Sequence, residues 1–289
     1  MPSLRDWLDG ARPRTLPAAV APVLAGTGAA ALAQSASVLR ALLAAGVALA
    51  LQVAVNFAND YSDGIRGTDD VRVGPVRLTA SGQVAPAAVK RAAMLAFAVA
   101  AALGVVLCAV AGTWWLLVVG AACIVAAWYY TGGRRPYGYA GLGELSVFVF
   151  FGLVATLGTT YTQAGHLTAP AALAAGGIGF LACALLMVNN IRDMPTDTEA
   201  GKRTLAVRVG EVWARRSYAA FLALGVLCPL LIAFWAPLAL LLGIALIPVV
   251  VLSGRVLGGA TGHDLIVVLR DTGFLELIVG LGLLVILAV

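Results

Sequence analysis

Charge is what this chain has least of. Only 11% of its 289 residues are Asp, Glu, Lys or Arg, against about a quarter in a soluble domain. That scarcity excludes both an ordinary soluble fold and a disordered chain. Cysteine is also sparse: Cys108, Cys123, Cys183 and Cys228 all lie in apolar runs without Cys-x2-Cys spacing. They read as small buried hydrophobes, not as a disulfide framework or a thiolate metal site. The two histidines, His166 and His263, have no metal-ligating neighbour in sequence and read as structural. A secretory signal is not expected either, because residues 1–14 hold three Arg, two Asp and no apolar core of the needed length. What the chain has in excess is apolar residues, at 61% with a mean hydropathy of +0.96.

Those residues are gathered into long charge-free runs. A helix crossing the ~30 Å hydrocarbon layer needs about 20 residues at 1.5 Å each. The run Ala92–Thr131 is twice that length; Gly112-Thr113 divides it, with Trp114 and Trp115 as interface aromatics. The run Ser217–Gly254 divides near Ala236-Pro237, and single spans are predicted at Leu16–Leu32, Leu39–Phe57, Leu145–Tyr161, Pro170–Val188 and Phe274–Val289. The fold class is therefore all-α and polytopic, with nine transmembrane helices.

Nine spans place the N-terminus and the even-numbered loops on one side. Of the 19 Lys and Arg residues, only Arg40 then falls on the other. Lys and Arg accumulate in cytoplasmic loops, so the N-terminus is predicted to be cytoplasmic. All fourteen acids are placed on that face too. The pI near 9.3 follows from this topology signal together with contacts to anionic lipid, and nucleic acid is not an expected partner.

The remaining polar residues form two knots. Asn56-Phe57-Ala58-Asn59-Asp60-Tyr61-Ser62-Asp63 closes the second predicted span, and Asn189-Asn190-Ile191-Arg192-Asp193-Met194-Pro195-Thr196-Asp197 closes the sixth. On a helix, Asn56, Asn59, Asp60 and Asp63 share one face. Pro195 is expected to end the sixth span at Met194, leaving Asp197 in a loop. The spacing Asn-x3-Asp occurs twice, at Asn56/Asp60 and Asn189/Asp193. This suggests a four-span repeat, about residues 12–134 and 140–254, with a ninth helix at 272–289 and the acidic ends facing each other across a central cavity.

Carboxylates at membrane depth mark functional sites, and facing carboxylates call for a divalent cation. Mg²⁺ takes oxygen ligands, typically one or two carboxylates with substrate phosphates. Arg66, Arg72, Arg77, Arg134, Lys202 and Arg203 surround the knots and suit the remaining phosphate oxygens. The constellation reads as Mg²⁺ plus a diphosphate. For an allylic diphosphate, nearby aromatic faces (Phe57, Tyr61, Tyr129, Tyr130, Tyr137, Tyr139, Phe148, Phe150, Phe151) would stabilise the developing carbocation. Asn56 and Asn189 have a plainer reading as interhelical ties. A cation-coupled transporter also pairs intramembrane carboxylates, but its acids belong near the bilayer midplane.

The knots resemble the two acidic motifs of the UbiA superfamily of membrane prenyltransferases, Asn-Asp-x2-Asp-x3-Asp and Asp-x3-Asp. Asn59-Asp60-Tyr61-Ser62-Asp63 matches the first and Asp193-Met194-Pro195-Thr196-Asp197 the second, while Gly67 stands where the last Asp of the first motif is expected and Asp69 or Asp70 would substitute. Ala11–Pro17, Gly74-Pro75-x-Arg77, Gly141–Glu144 and Gly201–Arg208 are similar to the 1,4-dihydroxy-2-naphthoate polyprenyltransferase branch. The resemblance implies helices around a cavity open to the cytoplasmic and membrane side, and substrates that are a polyprenyl diphosphate and 1,4-dihydroxy-2-naphthoate. It implies Mg²⁺ on Asp60, Asp63, Asp193 and Asp197, with Asn56, Asn59 and Asn189 orienting ligands. Lys202, Arg77 and Arg134 would bind diphosphate, and Tyr130 and Tyr137 would shield the allylic cation.

Overall fold

The computed structural model describes residues 3–67 and 77–289. The chain is all helical: α1 Leu4–Ala11, α2 Leu16–Leu32, α3 Val38–Gly64, α4 Pro86–Ala111, α5 Leu116–Thr131, α6 Gly143–Ala164, α7 Ala169–Glu199, α8 Glu211–Phe234, α9 Pro237–Leu257 and α10 Gly262–Leu287. Among the described residues, seven helical segments are long and apolar enough to cross a membrane; α5 is shorter, and α10 carries additional charge near its start. The molecule is a polytopic membrane protein.

Local chemistry sets the helix ends. The Ser37 and Thr168 side chains accept the N–H groups of Arg40 and Ala171, capping α3 and α7. Gly112, at φ +70°, takes the left-handed turn that ends α4, where the sequence predicts the break. Arg40, the single cation predicted on the far face, donates to the carbonyls of Thr162, Gln163 and Val110. It thereby satisfies the C-terminal ends of α6 and α4 together.

Two expectations are corrected here. Pro195 does not end the sixth span: α7 continues to Glu199, so Asp197 is helical. Pro195 withdraws one N–H, the partner of the Ile191 carbonyl, and α7 tolerates that single loss; the Thr196 and Thr198 hydroxyls add bonds to the Asp193 and Met194 carbonyls, at 2.9 and 2.8 Å. The last helix begins at Gly262, well before the predicted Phe274, and includes His263. Glu276 accordingly stands about four turns into α10, fully buried, instead of at a helix end with the other acids.

Helices α2 and α7 form the inner pair. Helix α2 packs on α3, α6, α7 and α10, while α7 packs on α2, α6, α8 and α10. The approach is close because the contact residues are small, as membrane helices require when lipid offers no hydrophobic driving force. A Cβ on Gly280 of α10 would stand 2.7 Å from the Ala21 carbonyl oxygen of α2, and one on Gly152 of α6 only 2.5 Å from Gly179 of α7. Within α6, residues Phe148–Ala155 widen into π-helical turns, a local departure often found beside functional sites. This packing brings the C-terminal ends of α3 and α7, with both knots, to the same end of the bundle.

Candidate active site

Asp63 is where the two knots meet. It is buried, accepts the Tyr139 hydroxyl at 2.5 Å, and lies 3.5 Å from Lys202 Nζ through its other oxygen. Lys202 follows α7, its backbone N–H bonds to the Asp197 carbonyl at 2.8 Å, and its ammonium sits 4.8 Å from the Tyr139 ring centre. Arg66 faces the same ring at 5.5 Å and donates to the Thr131 and Gly133 carbonyls. Tyr139, in the short turn Tyr137–Ala140, is thus the pivot between the first knot and the loop of the second. The sequence signals it only as one aromatic among several.

Asp60 is turned elsewhere. Fully buried, it accepts the backbone N–H groups of Leu78 and Thr79, both at 2.9 Å. These two bonds fasten the segment that begins with buried Arg77 to α3. Asn56 ties α3 to the N-terminal helices, donating to the Ala11 carbonyl at 2.8 Å and Thr15 Oγ1 at 3.0 Å. Asn59 accepts the Thr131 hydroxyl at 2.8 Å. The four residues that share one helix face in sequence therefore reach four different neighbours.

In the second knot, buried Asp193 receives Arg192 through both oxygens, at 2.7 and 2.8 Å, and the same guanidinium reaches Asn189 Oδ1 at 2.9 Å. Asp197, one helical turn on, is half-buried. Tyr130 stands edge-on to Tyr137, 5.4 Å between ring centres. Its hydroxyl is within electrostatic reach of Asp63, Asp197 and Glu144. Burial raises the Tyr137 hydroxyl above its ordinary value, keeping it protonated as a donor to the Ala126 carbonyl at 2.8 Å. Arg134 is exposed on the loop after α5; Asp69, Asp70 and Arg72 lie outside the described residues. Buried Glu276 has a single signal in the sequence, an acid inside an apolar run.

Among the described residues, no three His, Cys, Asp or Glu side chains converge on one point. The donor set nevertheless suits Mg²⁺. It is all oxygen, and the buried carboxylates of Asp63 and Asp193 each face a cation, Lys202 and Arg192. Mg²⁺ needs only one or two carboxylates when phosphates supply further ligands.

A helical membrane bundle with acidic helix ends beside basic loops suits a ligand with a phosphorylated head and an apolar body. The family model described as the UbiA prenyltransferase family matches residues 19–258, and the chain belongs to that family. It is 50% identical over 279 residues to the 1,4-dihydroxy-2-naphthoate octaprenyltransferase of Mycobacterium tuberculosis, covering 96% of this chain and 95% of that one. The protein of the same name from Escherichia coli is 40% identical over 228 residues, 77% of this chain and 74% of the other. A UbiA homologue from Archaeoglobus fulgidus, solved with GPP and Mg²⁺, shares the fold with a TM-score of 0.74 at 14% identity, covering 98% of this chain and 99% of that one.

Proposed function

We propose that the protein transfers a polyprenyl group from polyprenyl diphosphate to 1,4-dihydroxy-2-naphthoate, in a Mg²⁺-dependent reaction that releases diphosphate and CO₂ and forms the demethylated menaquinol. The observation that carries this reading is the full-length likeness to naphthoate octaprenyltransferases at 50% identity, together with the family's two acidic motifs at adjacent helix ends.

In the reaction the allylic C1–O bond breaks with its electrons on the diphosphate. A ring carbon of the naphthoate forms the new bond to C1, and loss of CO₂ returns electrons to the ring. Asp63, Asp193 and Asp197 would hold Mg²⁺, with Asp60 completing the first motif from its bonds to the 78–79 backbone. Bound there, the metal supplies positive charge to the diphosphate oxygens. Lys202 supplies a further fixed charge to the leaving group. Asp60, by fastening the segment at Leu78, sets where Arg77 enters. Asn59 and Asn189 orient phosphate oxygens, Asn56 keeps α3 in register with the N-terminal helices, and Arg134 captures the diphosphate as it arrives. Tyr130 and Tyr137 present ring faces to the allylic cation and exclude water from it.

The topology belongs to the same proposal. Nine passes, counting α5 and α10, would put the termini on opposite sides, and the gathering of Lys and Arg in one set of loops supports a cytoplasmic N-terminus and active site at the cell membrane, with two four-span halves contributing one acidic end each. Purified enzyme offered 1,4-dihydroxy-2-naphthoate, 4-hydroxybenzoate and homogentisate in turn, with one polyprenyl diphosphate and Mg²⁺, tests the acceptor. Prenylation of the naphthoate at a kcat/KM at least tenfold above the others is expected; preference for another acceptor rejects the assignment.

A further inference from the structure

One buried acid beside the site is not used by the diphosphate chemistry. Glu144 opens α6, is 4% exposed, and accepts the Asn190 side-chain N–H at 3.0 Å through Oε1; its Oε2 is buried with no hydrogen-bond partner. Buried carboxyl oxygens are almost always paired, and leaving one unpaired disfavours the fold unless a ligand completes it. Glu144 is also placed where a ligand of this enzyme would reach it. Asn190, which fixes it, adjoins Asn189 in the second knot. The Tyr130 hydroxyl reaches Glu144, Asp63 and Asp197 electrostatically. That hydroxyl comes in over Gly143, where a Cβ would stand 3.1 Å from it. Two observations therefore agree: an orphaned buried acceptor atom, and a position between the second knot, through Asn190, and the Tyr130 hydroxyl.

We infer that Glu144 Oε2 accepts a hydrogen bond from a ring hydroxyl of the aromatic acceptor, making it the residue that recognises the diol. The inference rests on the proposed function and adds the acceptor side of the site to it. Whether charged or neutral, a carboxyl group offers an acceptor oxygen, and the acceptor substrate carries hydroxyl donors while the diphosphate carries none. The bond also strengthens along the reaction. As the ring carbon attacks C1, electron density leaves the neighbouring hydroxyl oxygen and its proton becomes more acidic; loss of CO₂ then restores the aromatic ring and the ordinary hydroxyl. An acceptor oxygen on that proton stabilises the transition state more than the bound substrate, and Asn190 holds it in place beforehand.

Glu144→Leu keeps the volume and removes both oxygens. The expected result is a KM for the naphthoate raised at least tenfold and kcat lowered, with the KM for polyprenyl diphosphate changed less than twofold. Acceptors with one hydroxyl methylated sharpen the reading: wild type discriminates against one methyl ether at least tenfold, and the variant loses that discrimination. Equal effects on both substrates, or discrimination retained in E144L, overturn the inference while leaving the proposed function standing. A wild type that does not prenylate the naphthoate at all overturns both. If E144L no longer binds diphosphate, Glu144→Gln decides, because it keeps the shape and a carbonyl for Asn190. A naphthoate KM raised at least threefold with unchanged diphosphate KM supports the role, and an unchanged naphthoate KM contradicts it.

Discussion

Asp60 and Asp63 are less than one helical turn apart, yet Asp60 holds backbone and Asp63 faces a lysine across the gap between two knots. Composition and spacing bring both to the end of α3; the neighbours that each finds, Leu78–Thr79 and Tyr139–Lys202, come from distant parts of the chain and leave no local signature. The residue scale therefore carries its own tests. Asp193→Asn is expected to lower turnover about a hundredfold or more and to abolish its response to added Mg²⁺. The carboxamide keeps part of the contact with Arg192 but not the charge, so unfolding is measured alongside; normal Mg²⁺-dependent turnover in D193N contradicts a metal role. Lys202→Met retains the stem over Tyr139 and removes the ammonium. It should raise the KM for polyprenyl diphosphate about tenfold and leave that for the naphthoate within a factor of two, and equal changes in both would assign Lys202 to structure alone.

At the scale of helices, the breaks at Gly112 and Pro237 were legible because each rests on one residue's backbone chemistry. Two boundaries were not. Helix α7 passes through Pro195 at the loss of a single backbone bond, and α10 starts early because a charged first half is as helical as an apolar one. That early start moves Glu276 into the bundle. The close contacts of small residues were likewise invisible in a hydropathy profile, which scores Gly280 as merely uncharged. Gly280→Val sets a side chain against the α2 backbone, where the Ala21 carbonyl oxygen is 2.7 Å from the first added carbon. Overpacking of this kind costs about 1–3 kcal/mol. Thermal unfolding in detergent should show a clear fall in Tm; an unchanged Tm means that α2 and α10 do not approach this closely.

For the whole molecule, the arrangement answers a physical problem. The allylic chain is apolar and belongs in lipid, while its diphosphate needs cations and water at the membrane surface. A bundle with acidic helix ends under basic loops keeps head and tail in their own solvents and still brings the reacting carbon to one place. Helices α2 and α7 make this possible: their small residues let the bundle close tightly enough to carry α3's knot to α7's. The same end presents Glu144 for the second substrate, so donor and acceptor recognition meet near Tyr130. In this enzyme ring attack and decarboxylation form one catalytic event. That coupling is tested most directly by supplying carboxyl-labelled 1,4-dihydroxy-2-naphthoate with polyprenyl diphosphate and Mg²⁺, and counting labelled CO₂ and diphosphate together. Equal amounts of both are expected, each requiring the other substrate; diphosphate and prenylated product formed without CO₂ would refute the coupling.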